Sequence, residues 1–159
     1  MKKPLFTKVL QIGFVVEDCE KTARIYAEKY GIGPWSIYGP KCMAEVKQYG
    51  KDCPMQLKVA SAFLEEIELE FIEPLDDLSL YADFLKKHGE GLHHLALESN
   101  FAETMDFCEK ETVPVVLSGV FGVGEDFAYI DPSEDIKCIV ELYNSRPNSS
   151  YPQPDKIIK

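Results

Sequence analysis

The strongest constraint on this fold is a repeated order of elements, not a repeated string of residues. Residues 9–16 form an apolar run that reads as a buried strand, and residues 92–97 read the same way. Each run carries a polar residue near its start, Gln11 in one and His94 in the other, and each is soon followed by a helix cap. The first cap lies in Glu17-Asp18-Cys19-Glu20, with Ala23, Tyr26, Ala27 and Tyr30 then at helical spacing until Gly31. The second is Ser99-Asn100, ahead of Met105, Phe107 and Cys108. Strands are predicted at residues 35–38, 56–63 and 67–73, with a further one around 44–49 and a turn near Glu65-Glu66. After the second helix come strands at 114–117, 127–130 and 138–142, with a turn at Asp131-Pro132-Ser133. A helix over residues 76–88, stopped by Gly89, links the halves. The order is therefore strand, helix and about three strands, stated twice with little shared identity. It predicts an α+β protein of two βαβββ modules, about residues 7–75 and 90–145, in one domain over 1–145. Residues 146–159 form a polar, Pro-rich tail, read as an extended arm or a frayed end.

Four polar side chains interrupt these strands: Gln11, Glu70, His94 and Glu141. A polar group facing a core is costly unless it is paired or holds a metal. Singly, each reads as an ordinary strand or surface residue, and Glu68 and Glu73 read as solvent-facing. Together they occupy matching points, two on the first strand of a module and two on the last. Packing about a pseudo-twofold would bring all four into one cup. His93 and His94 are strand neighbours and so are expected on opposite faces, leaving at most one as a ligand. Carboxylate, imidazole and amide donors suit one divalent ion such as zinc, nickel, cobalt, iron or manganese, and one or two positions would stay open.

Bulk properties narrow the classes of partner. The net charge of -10 argues against nucleic acid and against an anionic membrane surface. No apolar run approaches the roughly 18 residues needed to cross a bilayer. The five cysteines, Cys19, Cys42, Cys53, Cys108 and Cys138, are widely spaced with no CxxC, and no signal peptide is visible at the start. Reduced thiols in a cytoplasmic protein are therefore expected. Trp35, Tyr38, Phe63 and Phe127 are candidates for an apolar pocket or for core. The Gly-rich stretch 118–126 is a candidate mobile loop, and no helix follows it to make a phosphate site.

The segments Gln11-Ile12-Gly13-Phe14-Val15-Val16, Ile67-Glu68-Leu69-Glu70-Phe71-Ile72-Glu73-Pro74, Gly89-Glu90-Gly91-Leu92-His93-His94 and Ile139-Val140-Glu141-Leu142 resemble the vicinal oxygen chelate superfamily. The similarity covers roughly residues 7–145 and is strongest to its methylmalonyl-CoA epimerase and glyoxalase branch. It implies an open, curled mixed sheet around one divalent metal, held by Gln11, Glu70, His94 and Glu141. It also implies a homodimer and a small-molecule substrate, an acyl thioester or a hemithioacetal. The expected activity is that of a metal-dependent isomerase or lyase that removes a proton beside a carbonyl, with Glu141 as the base and Glu70 as the runner-up. Gly89 to His94 and Pro74 are epimerase-like, whereas epimerases usually carry His where this chain has Gln11. The set Gln, Glu, His, Glu is that of glyoxalase I (lactoylglutathione lyase). A non-catalytic binding protein of the bleomycin-resistance type is a third reading, against which the complete donor set stands.

Overall fold

The computed structural model describes residues 3–43, 45–121, 125–144 and 153–159. The first half contains β1 (Lys8–Val15), α1 (Cys19–Tyr30), β2 (Trp35–Met43), β3 (Val46–Gln48), β4 (Lys51–Asp52), β5 (Met55–Leu64) and β6 (Ile67–Pro74). The linker helix is α2 (Leu80–His88). The second half contains β7 (Gly91–Glu98), α3 (Phe101–Glu111), β8 (Val115–Phe121), β9 (Glu125–Ile130), α4 (Ser133–Ile136) and β10 (Ile139–Tyr143). A last strand, β11 (Lys156–Ile158), pairs antiparallel with β2. The repeated order expected from the sequence is thus present.

Local chemistry explains the boundaries. Asp18 caps α1 by accepting from Lys21 N at 2.9 Å, and Gly31 ends it at φ 67, a conformation glycine reaches without strain. The linker helix begins later than expected, at Leu80 rather than near residue 76. Asp76 is engaged elsewhere, accepting from Gln56 N and Leu78 N, and Ser79 provides the cap for Ala82 N. Ser133 opens the short α4 where only a turn was expected. The supposed loop 118–126 is largely strand, because β8 runs to Phe121 and β9 resumes at Glu125. Residues 122–124 of that stretch, and residues 145–152, which include the first part of the tail, lie outside the described residues.

The strands form one sheet in the order β11-β2-β5-β6-β1-β7-β10-β9-β8-β3-β4. Its centre has internal symmetry: β1 lies antiparallel to β7, with β6 parallel to β1 on one side and β10 parallel to β7 on the other. One connection forces the sheet to curl. β2 ends at Met43 and β3 starts at Val46, yet they stand eight strand spacings apart in the sheet. In a flat sheet that distance would be ~38 Å. Three residue steps reach only ~11 Å. The two ends of the sheet must therefore come round to face each other.

Three apolar clusters hold this shape. Trp35, stacked on Phe71 at 4.4 Å, packs with Cys19 and Ala23 beneath α1. Ile130, Val140 and Leu142 pack with Cys108 of α3. Inside the curl, Val15, Leu57, Ile72, Leu117, Phe127 and Tyr129 pack with Leu80 and Tyr81 of α2. Trp35 and Phe127 are thus core residues, whereas Phe63 is 50% exposed.

In β1 and β7, alternation of buried and exposed residues fails at one point each, and both are β-bulges. The register between β1 and β7 slips between Val9 and Gln11, and again between Gly13 and Phe14, whose partners are His94 and Leu92. Leu10 and His93 are the extra residues, so Leu10–Gln11 and His93–His94 are consecutive buried pairs. This overturns the expectation that His93 and His94 face apart: their Nδ1 atoms are 3.1 Å from each other. His94 then lies over Gly13, where an added Cβ would meet its ring carbon Cε1 at 1.9 Å. Gly13→Ala is accordingly expected to cost about 1–3 kcal/mol by overpacking. Thermal unfolding should show a fall of roughly 2–4 °C for each kcal/mol. An unchanged Tm would show that the ring does not occupy that space.

Candidate functional site

Sheet register explains why four residues distant in sequence meet. Gly13 on β1 pairs with Glu70 of β6 on one side and with His94 of β7 on the other. Gln11 is two residues along the same face, and Glu141 of β10 pairs with Ala96, two residues from His94. All four side chains converge on His94 Nε2. Gln11 Oε1 is 3.1 Å from it, Glu141 Oε2 3.3 Å and Glu70 Oε2 3.8 Å. Gln11, His94 and Glu141 are buried, and Glu70, with a side chain 17% exposed, is the most open member.

Hydroxyls and a second carboxylate complete the surroundings. Tyr129 pairs with Glu141 across β9 and β10, and its Oη is 3.3 Å from His94 Nε2. Tyr81 of α2 donates to Tyr129 Oη at 3.0 Å. Tyr143 Oη donates to Glu141 Oε2 at 2.9 Å and reaches Gln11 Oε1 at 3.5 Å. Glu68 was expected in solvent, but it is buried and accepts from Gln11 Nε2 at 3.2 Å and from Ser61 Oγ. Alternation from Glu70 to Glu68, and from Glu141 to Tyr143, was a signal for two of these neighbours. Tyr81, Tyr129 and His93 could be found only from the tertiary pairing and the bulge.

Burial dominates the electrostatics. It pulls the His94 imidazole down to about 3, so the ring is neutral near pH 7. His93 is likewise lowered to about 3 by burial and by His94. The Glu141 carboxyl is pushed up to about 8 by burial, against the opposing hydrogen bond from Tyr143. Glu70 is raised well above the usual range by burial and then by the charges of Glu141 and Glu68. Each effect reflects an ionisable group held in a poorly solvated space.

Among the described residues, no group of three His, Cys, Asp or Glu stands as a finished metal cage. The four side chains are in contact around His94 Nε2, with Gln11 hydrogen-bonded to it and Glu70 farther off at 3.8 Å. Their chemistry nevertheless fits a divalent ion. The set offers a neutral imidazole, an amide oxygen and two carboxylates, all hard or borderline donors. Glu70 and Glu141 lie against the uncharged His94 ring, and a cation bound among them would favour their ionised forms. Gln11, Glu70, His94 and Glu141 are the residues able to hold it.

Comparisons with known proteins agree with this architecture. A variant of the Streptomyces coelicolor methylmalonyl-CoA epimerase, in complex with 2-nitronate-propionyl-CoA, superposes with a TM-score of 0.65 at 20% identity, over 89% of this chain and 99% of that one. Methylmalonyl-CoA epimerase from Mycobacterium tuberculosis gives 0.63 at 17% identity, over 90% and 91%. A hypothetical protein from Bacillus halodurans C-125 gives 0.64 at 20% identity, over 91% and 98%. At such identities the likeness is one of fold. No protein of curated function matches the chain in sequence. Residues 10–130, which include Gln11, Glu70 and His94, match a family model, and the chain belongs to the glyoxalase/bleomycin resistance protein/dioxygenase superfamily.

Proposed function

We propose that this chain is a metal-dependent isomerase or lyase that removes a proton from a carbon next to a carbonyl, epimerase-like in its substrate, an acyl thioester. The observation that supports it is the convergence of Gln11 Oε1, Glu70 Oε2 and Glu141 Oε2 on His94 Nε2. A divalent ion bound by these residues would act as a Lewis acid and stabilise the oxyanion that develops when the proton leaves. The chain's own residues do the rest. Glu141 is the proposed base: it is buried with Oε2 3.3 Å from His94 Nε2, and it would take the proton on loosening from the ion. Tyr143 holds Glu141 Oε2 and keeps that oxygen oriented. Glu70, the more exposed carboxylate, is the alternative proton carrier at the mouth of the cup. Tyr129 and Tyr81 close the inner side against water with the aromatic cluster around α2.

Gln11 favours a second reading, glyoxalase I activity on a hemithioacetal, because the set Gln, Glu, His, Glu resembles that enzyme's. Both readings share the proton-abstraction step and differ in the group carrying the carbonyl. The protein is proposed to work as a homodimer in the cytoplasm.

Elemental analysis of the purified protein beside His94→Ala tests the metal. About one divalent ion per wild-type chain, lost in the variant, is expected; none in either after incubation with Co²⁺, Ni²⁺ and Zn²⁺ would sink the reading. Glu141→Gln should lower turnover of the accepted substrate, an acyl-CoA or a hemithioacetal, by about 10²–10⁴-fold. Turnover near wild type would move the base role to Glu70, for which Glu70→Gln is the companion variant.

A further inference from the structure

The amide of Gln11 has two ends of nearly equal size, so packing alone cannot choose which one faces the cup. Hydrogen bonding must choose. The choice matters, because only the carbonyl oxygen has lone pairs for a cation and the NH2 end presents hydrogens. Glu68 is placed to decide it. It pairs with Gln11 in the parallel register of β1 and β6, is 4% exposed, and accepts from Gln11 Nε2 at 3.2 Å. Its other oxygen accepts from Ser61 Oγ of β5, so both carboxylate oxygens act as acceptors. The reversed amide would set Gln11 Oε1 against a carboxylate oxygen with no hydrogen between them. A buried pair of facing acceptors is expensive. On the cup side, Gln11 Oε1 is the end that faces His94 Nε2, at 3.1 Å, in the same orientation.

We infer that Glu68 is a positioning residue that holds the Gln11 amide with its oxygen toward the metal position, with Ser61 steadying the carboxylate. This rests on the proposed metal-binding role of Gln11. Partners behind a ligand typically contribute 10–100-fold to metal affinity. A general packing role for Glu68 predicts something different from an orienting role. In Gln11→Glu the side chain ends in two equivalent oxygens, so no orientation remains to be set, and Glu68 becomes a like-charged neighbour.

The test is a double-mutant cycle on the full chain, read by Co²⁺ and Zn²⁺ titration. Glu68→Leu should weaken binding by about 10–100-fold in the wild-type background. In the Gln11→Glu background the same change should leave affinity unchanged or raise it. Glu68→Gln, which keeps an acceptor for Gln11 Nε2, should stay much closer to wild type than Glu68→Leu. Equal losses in both backgrounds would overturn the inference. A second arm needs no metal. The side-chain amide protons of Gln11 should exchange slowly by ¹⁵N–¹H NMR in wild type and Glu68→Gln, and quickly in Glu68→Leu. Fast exchange in wild type would overturn the inference even if Glu68→Leu fails to fold. Absence of Co²⁺ and Zn²⁺ binding by wild type, with its amide protons protected, would sink the metal reading and leave the Glu68–Gln11 orientation standing.

Discussion

The row Glu70–Gly13–His94, running across β6, β1 and β7, is the contact on which the site depends. Gly13 has no side chain, so the imidazole of His94 can lie across the middle strand and bring Nε2 within reach of β6 and β10. A methyl group at Gly13 would fall inside that ring. The two halves meet at this row, and each supplies two of the four donors. The pseudo-twofold is therefore more than a relation of shape. It makes one site from two incomplete ones.

Holding such a group of donors together costs solvation. Glu70 and Glu141 are pushed toward their neutral forms, and His94 is held as the neutral ring. Tyr143 offsets part of this for Glu141, and Glu68 is met by Gln11 and Ser61. The apolar cluster around α2 fills one part of the curl and keeps these polar groups on a rigid wall rather than on loops. Strands fix the backbone beneath these groups, so only side-chain movement separates the contacts seen here from the spacing an ion would need.

The fold likeness to methylmalonyl-CoA epimerases and the superfamily match concern the scaffold. The same scaffold carries different chemistries, so activity has to be argued from the cup itself. The proposed proton transfer beside a carbonyl therefore rests on the donor set of the cup, which holds no sulfur among its four members.

Much of this was legible in the sequence. Apolar runs with helix caps after them revealed the two-module order, because strand and helix periods are local properties. Gln11, Glu70, His94 and Glu141 stood out because a polar residue within an apolar strand demands a reason. What the sequence could not show was pairing. The bulges at Leu10 and His93 depend on how β1 and β7 register, and they put His93 beside His94 where simple alternation sets them apart. Glu68 looked solvent-facing because a lone Glu on a strand usually is, but the pairing of β6 with β1 and β5 buries it against Gln11 and Ser61. Tyr81 and Tyr129 approach the cup only through α2 and the pairing of β9 with β10. Local periodicity thus determined the elements and their donor residues. Long-range hydrogen-bond register and sheet curvature, which no single segment encodes, decided which atoms face each other.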